Sequence, residues 1–84
     1  MTNRIDYNGE TFKLPHYRTN KKCAFKIFND GHCMYVRFND GQPKIGTCTI
    51  DDVFEDTKEC SHKDFMEEHK KVRQYIDEMD LFFR

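Results

Sequence analysis

Long apolar runs are absent from this sequence, and so is the apolar segment of a secretory signal. The first six residues read MTNRID, with no hydrophobic stretch to follow them. A membrane-spanning helix needs roughly 20 consecutive apolar residues, and the longest apolar runs here are a few residues. We therefore expect a soluble cytoplasmic chain without a membrane segment, whose cysteines are reduced thiols.

The signatures of common catalytic sites are absent too. The sequence contains no P-loop, no GxSxG, no HExxH and no dinucleotide-binding fingerprint. His32 precedes Cys33, and Cys60 stands close to His62, but catalytic thiol–imidazole pairs are normally assembled across a fold. A domain of 84 residues also has little room for a cleft. We expect a non-enzymatic protein with no catalytic residues and no cofactor.

Four cysteines and four histidines raise the question of zinc. Structural zinc sites usually have ligands paired two to four residues apart, and only His32 with Cys33 and Cys60 with His62 come near that spacing. A tight turn at residues 40–41 would make Cys33 and Cys48 cross-strand neighbours, so zinc binding by Cys33, Cys48, Cys60 and His62 stays an open question. Buried cysteines more often act as small hydrophobes, and we predict no metal.

The composition predicts one small domain with a thin core. Hydrophobic residues make up 37% of the chain and charged residues 35%. Eight Phe and four Tyr supply large buried areas in compensation. A domain of this size buries only about 60–65% of its unfolded surface. A partner protein or a second copy of the chain is therefore a plausible source of added stability.

The tetrapeptide Phe-Asn-Asp-Gly occurs twice, at 28–31 and 38–41. Asn-Asp-Gly supplies the positive φ angles of tight turns, and the runs around it are rich in β-branched and aromatic residues. These features predict a three-strand meander over 23–50. A two-residue turn at Asp30-Gly31 would place Phe28 opposite Cys33. One sheet face would then be wholly apolar, with Cys23, Phe25, Ile27, Met34, Val36 and Phe38.

The other segments complete the predicted fold. Residues 4–14 read as a β-hairpin with a type I′ turn at Asn8-Gly9, 15–22 as a basic loop and 51–60 as an acidic connector with a turn or short helix. An apolar stripe at Phe65, His69, Val72, Ile76, Met79 and Phe83, free of Gly and Pro, predicts a helix over 61–83 with Ser61 at its N-cap. The fold class is α+β, with an antiparallel sheet of about five strands, hairpin plus meander, packed against one long C-terminal helix.

The net charge of −1 hides an asymmetry. Residues 1–50 carry eight Lys or Arg against four Asp or Glu, whereas residues 51–84 carry six against eleven. The acidic residues of the connector have only Lys58 to offset them, and we predict that they contact a protein partner: Asp51, Asp52, Glu55, Asp56 and Glu59. The simpler interpretation of the remaining acidic residues is a solvated helix face with i,i+4 ion pairs.

A second candidate surface combines aromatic and basic residues. With the two-residue turn, the outer sheet face and the loop beside it would present Tyr17, Arg18, Lys21, Lys22, Lys26, Phe28, Tyr35 and Arg37. Aromatic rings for base stacking among cations for phosphates are typical of single-strand-binding sheets. The competing interpretation is that the lysines and arginines only solvate an exposed face.

The favoured function is a small intracellular binding module that acts by protein–protein contact. Its size and polarised charge resemble those of phage-type inhibitors or adaptors of host defence or nucleic-acid-handling machinery, an analogy of style rather than of family. The alternative is single-stranded nucleic-acid binding through the aromatic and basic face. Leu81, near the end of the helix, is a candidate interface residue, and a homodimer is a further possibility.

Overall fold

The computed structural model describes residues 3–82, and the side chains of residues 3–79. It confirms the α+β class, with a five-stranded antiparallel sheet, a separate hairpin and a C-terminal helix. The elements in chain order are β1 Arg4–Tyr7, β2 Glu10–Lys13, β3 His16–Thr19, β4 Cys23–Ile27, β5 Cys33–Arg37, β6 Lys44–Cys48, α1 Ile50–Phe54, β7 Lys58–Glu59 and α2 His62–Phe82.

The N-terminal hairpin forms as the sequence predicts. Strands β1 and β2 pair antiparallel with Tyr7 opposite Glu10, so the loop is Asn8-Gly9. Both loop residues have positive φ, 49° and 81°, as a type I′ turn requires. The hairpin is a two-stranded sheet of its own and does not extend the main sheet.

The main sheet has the strand order β6-β5-β4-β3-β7, and each pair of neighbouring strands in it is antiparallel. The meander predicted over 23–50 is confirmed as β4, β5 and β6, but it ends at Cys48, because Thr49 is the N-cap of α1 and Ile50 its first residue. The prediction of a loop over 15–22 is wrong, because β3 lies within it and pairs with both β4 and β7. Strand β3 has layers packed on both of its faces, so its four residues lack the apolar–polar alternation that marks a half-buried strand.

The turn between β4 and β5 differs from the predicted one. Ile27, not Phe28, lies opposite Cys33, and residues 29–31 form a three-residue loop. The Gly31 N–H donates to the Phe28 carbonyl, and Gly31 has a φ of 88°. These two features identify a type I turn that is followed by a glycine in the left-handed conformation. A two-residue type I′ turn would need positive φ at Asp30 as well, and Asp30 does not adopt it. Asp30 instead accepts a hydrogen bond from the His32 N–H.

The shift of one residue redistributes the side chains of β4 and β5 over the two faces. Helix α2 packs on the face that carries Ala24 and Val36, where the buried residues are Tyr17, Ala24, Val36, Phe65 and Val72. Helix α1 and the hairpin cover the opposite face, where the buried residues are Leu14, Phe25, Ile27, Cys33 and Val53. The prediction of one wholly apolar face under the long helix is therefore wrong, since the apolar side chains are shared between two covered faces.

Helix α2 follows its predicted stripe. The Asp64 N–H donates to Ser61 Oγ at 3.0 Å, which confirms Ser61 as the N-cap. Phe65 and Val72 are buried, Ile76 packs against the same core, and His69 and Met79 are half-buried. Phe83 lies outside the described residues. Between residues 3 and 82, neither helix combines the length and the hydropathy that crossing a membrane would require.

Phe65 tests the packing of α2. Its side chain is 1% exposed, whereas that of the adjacent Met66 is 41% exposed. We expect Phe65→Ala to lower the free energy of unfolding by about 3–5 kcal/mol, because it leaves a cavity between α2 and the sheet. Met66→Ala, the matched control, should change the stability by no more than about 0.5 kcal/mol. Urea unfolding followed by circular dichroism measures both, and similar losses in the two variants would contradict this packing.

Candidate functional site

An open groove of about 1080 Å³ lies between the β3–β4 turn and the segment that joins α1 to β7. Lys21 and Lys22 lie on its turn side, and Asp52, Glu55 and Asp56 lie on its connector side. Phe25, which is 6% exposed, contributes an apolar surface between them. We call these two sides the basic wall and the acidic wall of the groove. Thr19, Asn20, Thr57 and Lys58 complete the lining.

The acidic wall is held by the start of α1. Thr49 and Asp52 form a capping box, in which the Asp52 N–H donates to Thr49 Oγ1 at 3.3 Å and the Thr49 N–H donates to Asp52 Oδ2 at 3.1 Å. Val53, the fully buried residue of this helix, fixes α1 on the sheet. Two short-range bonds and one buried anchor therefore determine where the carboxylates stand.

The connector after α1 is tied down by Arg18. The Thr57 hydroxyl donates to the Val53 carbonyl at 2.6 Å, and Asp56 adopts a left-handed φ of 50° to make that turn. Arg18 donates from Nε to Thr57 Oγ1 at 2.8 Å and from its Nη2 to the Thr57 carbonyl at 2.9 Å. Its guanidinium also lies 4.8 Å from the centre of the Phe54 ring. Arg18, a predicted contact residue, therefore positions the acidic wall instead of facing a ligand.

The basic wall is positioned by Asn20. Its side-chain Oδ1 accepts hydrogen bonds from the N–H groups of Lys22 and Cys23, at 2.8 and 2.7 Å. This arrangement closes the β3–β4 turn and leaves Lys21 and Lys22 exposed. Lys22 Nζ lies 3.0 Å from Asp40 Oδ2 in the next loop, a solvent-exposed ion pair of small energetic weight.

The five acidic residues predicted as one cluster divide into three places. Asp52, Glu55 and Asp56 form the acidic wall. Asp51 accepts a hydrogen bond from the Tyr7 hydroxyl of the hairpin at 2.9 Å, and this bond is the main reason why the pKa of Tyr7 is raised. Glu59 stands on β7, with Oε1 3.9 Å from His16 Nδ1.

The predicted aromatic and basic face does not form. Tyr17 is 9% exposed, and a hydrogen bond of 2.8 Å joins its hydroxyl to His62 Nδ1. Tyr35 lies on the α1 side of the sheet, packed so closely over Gly46 that an added Cβ there would be 2.8 Å from its ring. Lys26 lies on the α2 side, with Nζ 4.5 Å from the centre of the Phe28 ring. Arg37 is on the side of Tyr35, so the register separates the four sheet residues into two pairs.

The thiols are arranged as small buried groups. Cys33 and Cys48 are cross-strand neighbours, as predicted, whereas Cys60 packs in the core on the opposite side of the sheet. Burial raises the pKa of Cys33 and Cys60, and it raises that of Cys48 to about 12. Such thiols stay protonated at neutral pH, which disfavours metal ligation and nucleophilic attack. Across residues 3–79, no three His, Cys, Asp or Glu side chains come together in a way that could hold a metal ion.

Sequence reasoning missed the residues that shape the groove. Asn20, Phe25 and Thr57 belong to no charge pattern, and the roles of Phe25 and Thr57 arise from contacts between segments. One local signal was available: Asn20, three residues before Cys23, is typical of an Asx turn that starts a strand. Leu81, the candidate interface residue, lies outside the described side chains.

Comparisons of the chain with models of protein families, with curated proteins and with solved structures found no match. No relative therefore assigns a role to the groove. Its chemistry is that of two walls of opposite charge on either side of a buried aromatic ring. Such a surface offers groups for ion pairing on both walls and an apolar contact at Phe25.

His16 makes the stability of this region depend on pH. The His16 side chain is 4% exposed. Its ring is stacked on that of Phe54 and tilted against that of Phe12, and Arg18 Nη1 lies 3.3 Å from its Nε2. Burial lowers the pKa of His16. The carboxylate of Glu59 partly opposes this shift, and the positive charge of Arg18 adds to it. Below a pH of about 6.5 the unfolded chain therefore binds a proton at this position more readily than the folded chain does.

We expect this difference to remove stability as the pH falls from about 7 to 5. His16→Gln, which cannot take up the proton, should show a smaller loss over the same range. Urea unfolding at each pH measures the difference between the two proteins, and titrations common to both cancel in that difference. Parallel curves for wild type and variant would show that His16 is not responsible.

Proposed function

We propose that this protein is a non-enzymatic binding module that contacts another protein through the groove. The observation that carries the proposal is the pairing of the acidic and basic walls over Phe25. Both walls are held by hydrogen bonds within the fold, the acidic one through Thr49 and Thr57 and the basic one through Asn20. A backbone that is already ordered loses little conformational entropy on binding, which favours recognition by a defined partner.

The chemistry of the acidic wall supports a partner that presents basic side chains. Glu55 and Asp56 are exposed and lie next to each other, and complementary charge accelerates association and excludes partners of the same sign. Basic surfaces are typical of proteins that handle nucleic acids. We extend the proposal to an inhibitor or adaptor of such machinery, of the kind that phages direct against host defence, by analogy of size and charge.

Direct nucleic-acid binding is the second candidate. The contact that favours it is that of Lys26 with Phe28, where an ammonium group lies over a half-buried ring beside the turn. A stacking ring next to a cation is the minimal unit of single-strand recognition. The aromatic and basic residues predicted to share one face are divided between two faces, and this division weakens the candidate.

A pair of neutralising substitutions tests the groove. Glu55→Gln with Asp56→Asn removes both charges and keeps the side-chain shapes, and Asn tolerates the left-handed φ of residue 56. Glu67→Gln with Glu78→Gln on the exposed side of α2 makes the same change in net charge elsewhere. Each tagged protein is incubated with bacterial lysate, treated or untreated with nuclease, and the eluates are identified by mass spectrometry.

We expect a stoichiometric protein that survives nuclease and binds the groove variant at least about tenfold more weakly than wild type, with the α2 variant unchanged. Equal losses in both variants would show that net charge, not the groove, governs the contact. Recovery that disappears with nuclease, together with loss of binding in Lys26→Ala, would favour the nucleic-acid candidate.

A further inference from the structure

Strand β6 is an edge of the main sheet. Within residues 3–82, β6 pairs with β5 on one side, and no strand pairs with it on the other side. An edge strand presents N–H and C=O groups to which another strand can pair. The strand is five residues long, contains the small Gly46 at its centre, and has exposed side chains at Lys44 and Thr47.

The register shows which groups of β6 point outward. The Phe28 N–H donates to the His32 carbonyl and the Phe38 N–H to the Lys22 carbonyl, so the even-numbered residues of β5 bond to β4. Hydrogen-bonded pairs alternate along an antiparallel ladder, and the odd-numbered residues of β5 therefore bond to β6. Their partners there are Lys44, Gly46 and Cys48. The backbone groups of Ile45 and Thr47 consequently face away from the sheet.

The two ends of β6 limit any further pairing to these two residues. Pro43, the next outward-facing position before Ile45, has no N–H to donate. Thr49, the next one after Thr47, donates its N–H to Asp52, and its carbonyl accepts from the Val53 N–H. A strand that pairs here must match Ile45 and Thr47.

The edge is complementary to itself. When two copies of β6 meet antiparallel about an axis at Gly46, Ile45 of one copy lies opposite Thr47 of the other. The two residues then exchange both of their N–H···O bonds. Ile and Thr are β-branched, and such cross-strand pairs stabilise sheets. The absence of a side chain at Gly46 lets the strands approach where they cross the axis.

The charges at the two ends of β6 are complementary in the same arrangement. Lys44 begins the strand beside Arg37 of β5, and this end is basic. Cys48 ends the strand next to α1, whose first turn carries Asp51 and Asp52. The Asp52 carboxylate is close enough to Cys48 to add, after burial and Cys33, to the raised pKa of that thiol. Antiparallel pairing places the basic end of each copy at the acidic end of the other.

We propose that β6 pairs with β6 of a second copy of this chain, so that two five-stranded sheets join into one across a two-fold axis. Residue 44 of each copy then lies opposite residue 48 of the other. A contact through one short strand is small, and the dimer is therefore weak and dependent on concentration. This interface goes beyond the proposed function, and Asp52 belongs both to its acidic end and to the acidic wall of the groove.

Sedimentation velocity of the full chain tests the association. We expect the mass of the wild type to rise from 10.2 kDa towards twice that value as the concentration approaches about 1 mM. Thr47→Pro removes an outward N–H without touching the ladder to β5 and should be monomeric, whereas Thr47→Val keeps the N–H and the β-branch and should dimerise like wild type. A wild type that stays monomeric throughout would overturn the proposal.

A designed crosslink tests the register and does not depend on how well the proline variant folds. Lys44→Cys places a thiol opposite Cys48 of the second copy, at a non-hydrogen-bonded pair whose Cα separation of about 4.5 Å suits a disulfide. Under mild oxidation we expect a covalent dimer on a non-reducing gel. The dimer should be lost when Cys48→Ser is added. Two results would contradict this pairing: a crosslink that persists when Cys48→Ser is added, or the absence of a crosslink in the Lys44→Cys variant that retains Cys48.

Discussion

The three-residue turn at 29–31 is the constraint on which the arrangement of this molecule depends. Gly31 supplies the left-handed conformation, and the resulting register pairs Ile27 with Cys33. Each side chain of β4 and β5 is thereby assigned to the α2 side or the α1 side of the sheet. Both sides then carry apolar residues, and both must be covered. The long helix covers one, and the short helix α1 with the N-terminal hairpin covers the other.

The groove forms because the second face of the sheet must be covered. Helix α1 is only five residues long and depends on its cap and on Val53 to hold its place. The connector that follows returns to the sheet edge as β7, and Arg18 satisfies the Thr57 carbonyl on the way. A partly buried carbonyl that lost such a donor would lower the stability of the fold. The carboxylates of the acidic wall therefore stand on a segment whose path is set by core packing and by one arginine.

Much of the fold was predictable because its signals are local. Asn8-Gly9 specifies a hairpin turn, and the stripe from Phe65 to Ile76 specifies an amphipathic helix. Strand β3 and the turn at 29–31 were not predictable in the same way. The side chains of β3 face two different layers, and Asn-Asp-Gly is compatible with turns of two or three residues. The candidate site was predicted in part. The charged residues of both segments were predicted as contact residues, but not that the two segments line one groove.

The sequence by itself determined the class of the fold, the positions of the hairpin, the meander and the long helix, and the separation of charge between the two halves of the chain. These properties depend on residues close together in the chain, where turn chemistry and periodicity act directly. Only the tertiary structure decided that Arg18 and Tyr17 serve the fold, that Lys26 and Tyr35 lie on opposite faces, and that Lys21 and Lys22 meet the acidic wall. The reason is physical: a shift of one residue in strand register reverses every side chain, and no local pattern encodes that shift.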